Sequence, residues 1–147
     1  MTPAPPFPTL HLGCGPSGRL AGGDARLHGL LVPGIAAGGA LGALSRYGVG
    51  RLLAPVSGAF PWGTLAVNVV GCVLLLVAGA LLPGAAVLGP AATIGFVGAF
   101  TTFSTFQVET VTLADVSPLR AALYLFGSAA AGLLAAALGA RLGALWH

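Results

Sequence analysis

From about residue 29 onward the chain is a succession of long apolar runs, separated only by short polar or Gly/Pro punctuation. A bilayer core about 30 Å thick needs roughly 20 apolar residues per helix, and four runs meet that length. The first is expected from about Gly29 to Leu52, with Arg46 and Arg51 near its end. The stretch from Leu52 to Val108 carries no charge at all, which is too long for one span and suits two. Pro83, Gly84, Gly89 and Pro90 divide it into a second helix from about Gly63 to Leu82 and a third from about Val87 to Leu113. Asp115, Ser117, Pro118 and Arg120 form the next polar turn, and a fourth helix runs from Arg120 to about Ala144, just before Trp146. The expected fold is therefore all-α and polytopic. Small residues recur at helical spacing, as Gly34, Gly38 and Gly42 and as Ala91, Gly95 and Ala99, which allows close backbone packing.

Residues 1–28 differ from the rest. They hold Pro, Gly, His11, His28 and two Arg, with no apolar run, and read as a disordered extension ahead of a four-helix transmembrane unit over 29–147. They do not read as a secretory signal, because no basic segment precedes an apolar one.

Composition strengthens the membrane reading. Of the 147 residues 56% are hydrophobic and only 6% charged, where a soluble domain carries about 25%; the mean hydropathy is +0.97. The net charge of +3 comes from Arg alone. The six are scattered, so the basic patch that nucleic acid requires is not formed. Cys14 and Cys72 supply too few ligands for a metal site and no disulfide framework. No nucleophile and general base come together, since His11, His28 and His147 lie near the termini, and an enzyme is not expected.

The Arg residues also speak to orientation. With an even number of spans, Arg19, Arg26 and Arg141 share one side of the membrane, while Arg46, Arg51 and Arg120 share the other. Cytoplasmic loops normally hold the excess of positive residues. An equal division gives no direction, which predicts insertion both ways and an antiparallel dimer; a fixed orientation set by the first helix is the alternative.

Polar residues inside hydrocarbon are costly and usually face a partner or a water-filled path. Thr64 and Asn68 lie one turn apart on one face of the second helix, which Gly71 continues. The third helix holds GFVGAFTTFSTF from Gly95 to Phe106. Gly95 and Gly98 weaken it, so a break is expected there, with freed carbonyls buried or turned to an ion. At about 100° per residue, Phe103 and Phe106 fall about 60° apart on one side, with Thr101, Thr105 and Glu109 opposite. Positive ring edges can flank an anion without trapping it. In the fourth helix Tyr124 and Ser128 lie one turn apart. Arg46 can pair with Glu109, draw anions to a vestibule or snorkel to the interface. Interhelical packing bonds are the structural alternative for each of these groups.

GGALGALSRY from Gly38 to Tyr47, GTLAVNVVG from Gly63 to Gly71, and GFVGAFTTFSTF followed by Glu109 resemble the signature segments of the Fluc/CrcB fluoride channels, in order, spacing and helix count. The resemblance runs from about Gly34 to the C-terminus. It implies a dual-topology antiparallel homodimer in the inner (plasma) membrane, each subunit with four helices and a broken third helix, with two antiparallel pores that export cytoplasmic fluoride passively and confer fluoride resistance. It implies that Asn68, Phe103, Phe106, Tyr124 and Ser128 line the pore with Thr64 beside Asn68, and that the backbone carbonyls of Gly98 and Thr101 hold a structural sodium ion at the dimer centre. Arg46 matches an arginine of the first helix. Ala99 stands where a second glycine is frequent, and Gly132 where some members have a hydroxyl. The competing expectations are a small dual-topology drug or cation exporter, which requires an acid in its central cavity, and a non-conducting membrane subunit.

Overall fold

The computed structural model describes residues 22–58, 60–82 and 84–144, apart from the side chains of 22–25, 140 and 142–144. Helix α1 spans Gly22–Ser57 and α2 spans Trp62–Leu81. The third run is composite: α3 (Leu88–Pro90), a π-helical segment (Ala91–Val97), α4 (Gly98–Phe100), an extended step at Thr101 and Thr102, then α5 (Phe103–Val116). Helix α6 spans Pro118–Ala144. Residues 22–28 thus continue α1; the rest of the expected extension, with Cys14, His11 and Arg19, lies outside the described residues, as do Trp146 and His147.

Four helices are long and apolar enough to cross a membrane: Arg26–Ser57, Trp62–Leu81, Leu88–Val116 and Pro118–Gly139. This is a multi-pass membrane protein. The third crosses only as a pair of pieces. Its longer piece, α5, has 14 residues, about 21 Å at 1.5 Å per residue, short of the roughly 30 Å hydrocarbon core.

Glycine decides how the first half packs. A Cβ on Gly38 would strike the Ala91 carbonyl oxygen, and one on Gly42 the Phe96 carbonyl oxygen, so α1 lies directly on the backbone of the π-helical segment. Gly95 returns the contact, with Ile35 O 2.6 Å from where its Cβ would be. The small-residue stripes read from the sequence are this seam. Helix α2 packs beside α6, and α5 packs on α6. The α2–α3 connection turns through Gly84, whose φ of +75° suits a residue without Cβ.

Among the described residues the core is small: Val67, Val97, Phe100, Phe106, Ala121 and Tyr124 are buried, while large apolar side chains such as Leu52, Phe103, Phe126 and Leu133 are exposed. That distribution is the reverse of a water-soluble fold and suits contact with lipid or another subunit.

Candidate functional site

The third helix breaks at Thr101 and Thr102, not at the glycines. Thr101 takes φ −76°, ψ 158° and Thr102 φ −149°, ψ 120°, both extended. Two side chains make that step stable. Asn68 Nδ2 donates to the Thr102 carbonyl at 3.0 Å, and the Thr102 N–H donates to Asn68 Oδ1 at 2.8 Å. The Thr102 hydroxyl then caps α5, accepting from the Thr105 N–H at 3.2 Å and donating to Thr105 Oγ1 at 3.0 Å. The glycine-rich stretch before the break widens into the π-helical segment, where Gly95 fits against α1, and remains hydrogen-bonded.

The break strips the carbonyls before it of their helical donors, and those of Gly98 and Thr101 are among them. In a continuous helix each N–H donates to the carbonyl four residues back. The Thr102 N–H, due to Gly98, goes to Asn68; the Thr105 N–H, due to Thr101, goes to the Thr102 hydroxyl. Gly98 and Thr101 therefore present carbonyls released from the helical ladder. Thr101 lies in the break, ahead of α5, so it does not share the α5 face with Thr105 and Glu109 as the spacing predicted. Its hydroxyl donates back to Val97 O at 3.0 Å, and its methyl sits over Gly71.

Glu109 on α5 receives two hydroxyls. Thr64 Oγ1 donates to Oε1 and Tyr124 OH to Oε2, each at 2.8 Å. The partners of this carboxylate are thus hydroxyls from α2 and α6, where the sequence had offered Arg46. Arg46 instead lines a cavity of about 860 Å³ between α1, α2 and α5, whose wall also contains Arg120, Thr64, Thr102, Thr105 and Glu109. Glu109 and Thr64, both in this wall, are hydrogen-bonded to each other.

On the inner side the aromatic groups meet. Tyr124 is 0% exposed. Its ring centroid lies 5.1 Å from that of Phe106 and 5.3 Å, edge-on, from that of Phe60. Phe103 and Phe106 have centroids 6.2 Å apart, as their spacing predicted. Their surroundings differ: Phe106 is 9% exposed and Phe103 71%. One turn beyond Tyr124, Ser128 Oγ is buried and has no hydrogen-bond partner among the described residues. Thr102 and Phe60 were not singled out from the sequence. Thr102 carries a readable sign, a threonine just before a helical run with another threonine three residues on; Phe60, in a connection, carries none.

A sequence model of the family described as CrcB-like protein, Camphor Resistance (CrcB) matches residues 34–140. Among curated relatives, the fluoride-specific ion channel FluC of Acidobacterium capsulatum is 45% identical over 115 residues, covering 74% of this chain and 92% of that protein. The protein named fluoride-specific ion channel FluC 2 of Symbiobacterium thermophilum is 47% identical over 122 residues, 78% of this chain and 98% of the relative. A FluC of Thermus thermophilus is 45% identical over 114 residues, covering 74% and 91%. With a family match across most of its length and relatives of this identity covered almost end to end, the chain belongs to the CrcB family.

Proposed function

We propose that this protein is a passive fluoride channel, not an enzyme, working as an antiparallel dual-topology homodimer in the inner (plasma) membrane and letting cytoplasmic fluoride leave the cell. The observation that carries this reading is the row of uncharged groups inside the bundle: the Asn68 amide clamped to the helix break, the Phe106 ring against the Tyr124 ring, and the unpartnered Ser128 hydroxyl. Fluoride is small and strongly hydrated. A path for it must replace water with many donors and still release the ion, which a fixed cation at the narrow point would oppose. Arg46 and Arg120 instead line the wide cavity, where positive charge raises the local anion concentration. The curated relatives, named as fluoride-specific ion channels, support the same substrate.

Dimerisation is supported by the exposure of Phe103, which a single subunit leaves uncovered beside a buried Phe106. Dual topology is supported by the equal division of arginines; Arg46 and Arg120 line one cavity, in keeping with their sharing one side. The released carbonyls of Gly98 and Thr101 are hard oxygen donors without helical partners, a donor set that fits a sodium ion, and the ion would tie together two helix breaks that meet at a twofold axis.

A cation exporter is the second reading, favoured by the place of Glu109 in the cavity wall. Against it, both carboxylate oxygens accept hydroxyl protons and two arginines share the wall. Purified protein in liposomes loaded with potassium fluoride or potassium chloride separates the readings. With valinomycin present, an ion-selective electrode should record release of fluoride, not chloride, and release should be unchanged by an imposed pH gradient. No fluoride release, or release that requires the pH gradient, would overturn the channel reading.

A further inference from the structure

The cavity between α1, α2 and α5 is larger and more apolar than fluoride needs. It runs from the α1–α2 and α5–α6 connections, where Phe60 and Arg120 line it, down to Thr102 at the helix break. Along α5 that descent is about 21 Å at 1.5 Å per residue. The volume is about 860 Å³, whereas each water of an ion's shell takes only about 30 Å³. The wall is furnished for a bigger guest, since Tyr47, Phe60, Val67, Val108, Leu113 and Val116 all contribute to it. A concave space of this size, mostly apolar with a few charged groups, has the character of a small-molecule site.

Its charges are placed to receive an anion. Arg46 lies on α1 well before the Ser57 end of that helix, about 16 Å by the same rise, so its side chain starts deep in the bundle. An arginine at such depth is costly unless something pairs with it. Glu109, the carboxylate in the same wall, gives its oxygens to Thr64 and Tyr124 instead. Arg120 adds positive charge near the mouth, and Arg46 and Arg120 against Glu109 leave the wall with positive charge in excess. At the inner end Tyr124 is fully buried and Phe106 nearly so, which stops any body wider than a bare ion.

We propose that this cavity is a docking site for an organic monoanion with a flat apolar body, and that its occupant plugs the ion path. The anionic head sits at Arg46, and the body lies against Tyr47, Phe60 and the aliphatic wall of α5. The plugging half of the proposal rests on the fluoride-channel reading; the docking half does not. Fluoride itself has no use for the apolar wall, whereas an aromatic anion gains from both the wall and the charge.

The probe is 2-naphthalenesulfonate, a flat and permanently charged anion, supplied on both faces of phosphatidylcholine liposomes that hold the protein and potassium fluoride. Fluoride release with valinomycin should fall by about tenfold at saturation, while methanesulfonate, the same head without the rings, should leave it within about twofold. With each variant referred to its own uninhibited release, Arg46→Gln should raise the half-inhibiting concentration by about tenfold and Arg46→Lys, which keeps the charge, by only about threefold. Equilibrium dialysis of the detergent-solubilised protein against protein-free micelles reads the same affinities without conduction, and so covers a variant that folds but does not conduct. Release indifferent to 2-naphthalenesulfonate, equal inhibition by methanesulfonate, or an affinity unchanged by Arg46→Gln each overturns the proposal. Binding in dialysis together with no fluoride release from the unaltered protein would sustain the docking site and overturn the channel reading, and the plug with it.

Discussion

Asn68 and Thr102 satisfy each other twice, amide N–H to carbonyl and backbone N–H to amide oxygen, across the gap between α2 and the helix break. The side chain behaves as a piece of backbone, supplying the donor and acceptor that the extended step at Thr102 takes out of the helix. Asn68→Ala leaves both backbone groups without partners, at about 1–3 kcal/mol for a buried unsatisfied group. The expected outcome is a lower thermal midpoint in detergent together with loss of fluoride release. Asn68→Asp retains only the acceptor and should fall between.

The carboxylate of Glu109 ties α2 to α6 through Thr64 and Tyr124. Removing the Tyr124 hydroxyl by Tyr124→Phe deletes one bond, and Glu109→Gln leaves one amide oxygen for two hydroxyls. The effects should be non-additive by about 1 kcal/mol, since the two residues share one interaction. A double-mutant cycle on unfolding in detergent checks this; additive losses would mean that the Tyr124 bond contributes nothing to stability.

The four spans were legible because the runs of apolar residues are long and the punctuation is dense around Pro83 to Pro90 and Asp115 to Arg120. The α1 seam was legible as the Gly34, Gly38 and Gly42 spacing. The position of the break was not. Local propensity pointed to Gly95 and Gly98, but Gly95 is occupied in letting α1 approach, and the break falls where Asn68, from another helix, takes over the Thr102 backbone. The partners of Glu109 were hidden for the same reason: Coulomb attraction nominated Arg46, whereas the packing of α5 on α6 and α2 brings hydroxyls to both oxygens. Phe103 and Phe106 were found because both lie within one regular stretch of helix.

Close packing at the seam makes a sharp contrast between glycines. Gly38→Ala or Gly42→Ala drives a methyl into a backbone carbonyl that cannot rotate away, and overpacking of this kind costs about 1–3 kcal/mol. Gly79 has open space around it, so Gly79→Ala should be neutral or slightly stabilising through helix propensity. Recovery of folded protein by size-exclusion chromatography should fall for the first two and hold for the third.

Phe103 and Phe106 are neighbours with unequal burial, which separates their contributions. Phe106→Ile removes a ring packed against Tyr124 and should lower both stability and fluoride release. Phe103→Ile alters an exposed ring and should leave the stability of the subunit within about 0.5 kcal/mol of unaltered protein, as surface changes do, while fluoride release collapses. Retained release in both variants would assign the rings to packing alone.

Sodium offers a test that leaves the sequence untouched. The Gly98 and Thr101 carbonyls lose their helical donors to Asn68 and to the Thr102 hydroxyl, and hard oxygens so exposed should prefer a small cation to none. A ligand that binds only the assembled state stabilises it by about 2.7 kcal/mol at a hundredfold excess over its dissociation constant. Replacing sodium by N-methylglucamine should therefore lower the thermal midpoint of the detergent-solubilised protein, and sodium should restore it along a saturating curve. Thr102→Val, which cannot cap α5, should weaken the break and flatten that curve. A midpoint indifferent to sodium in the unaltered protein would remove the ion from the site.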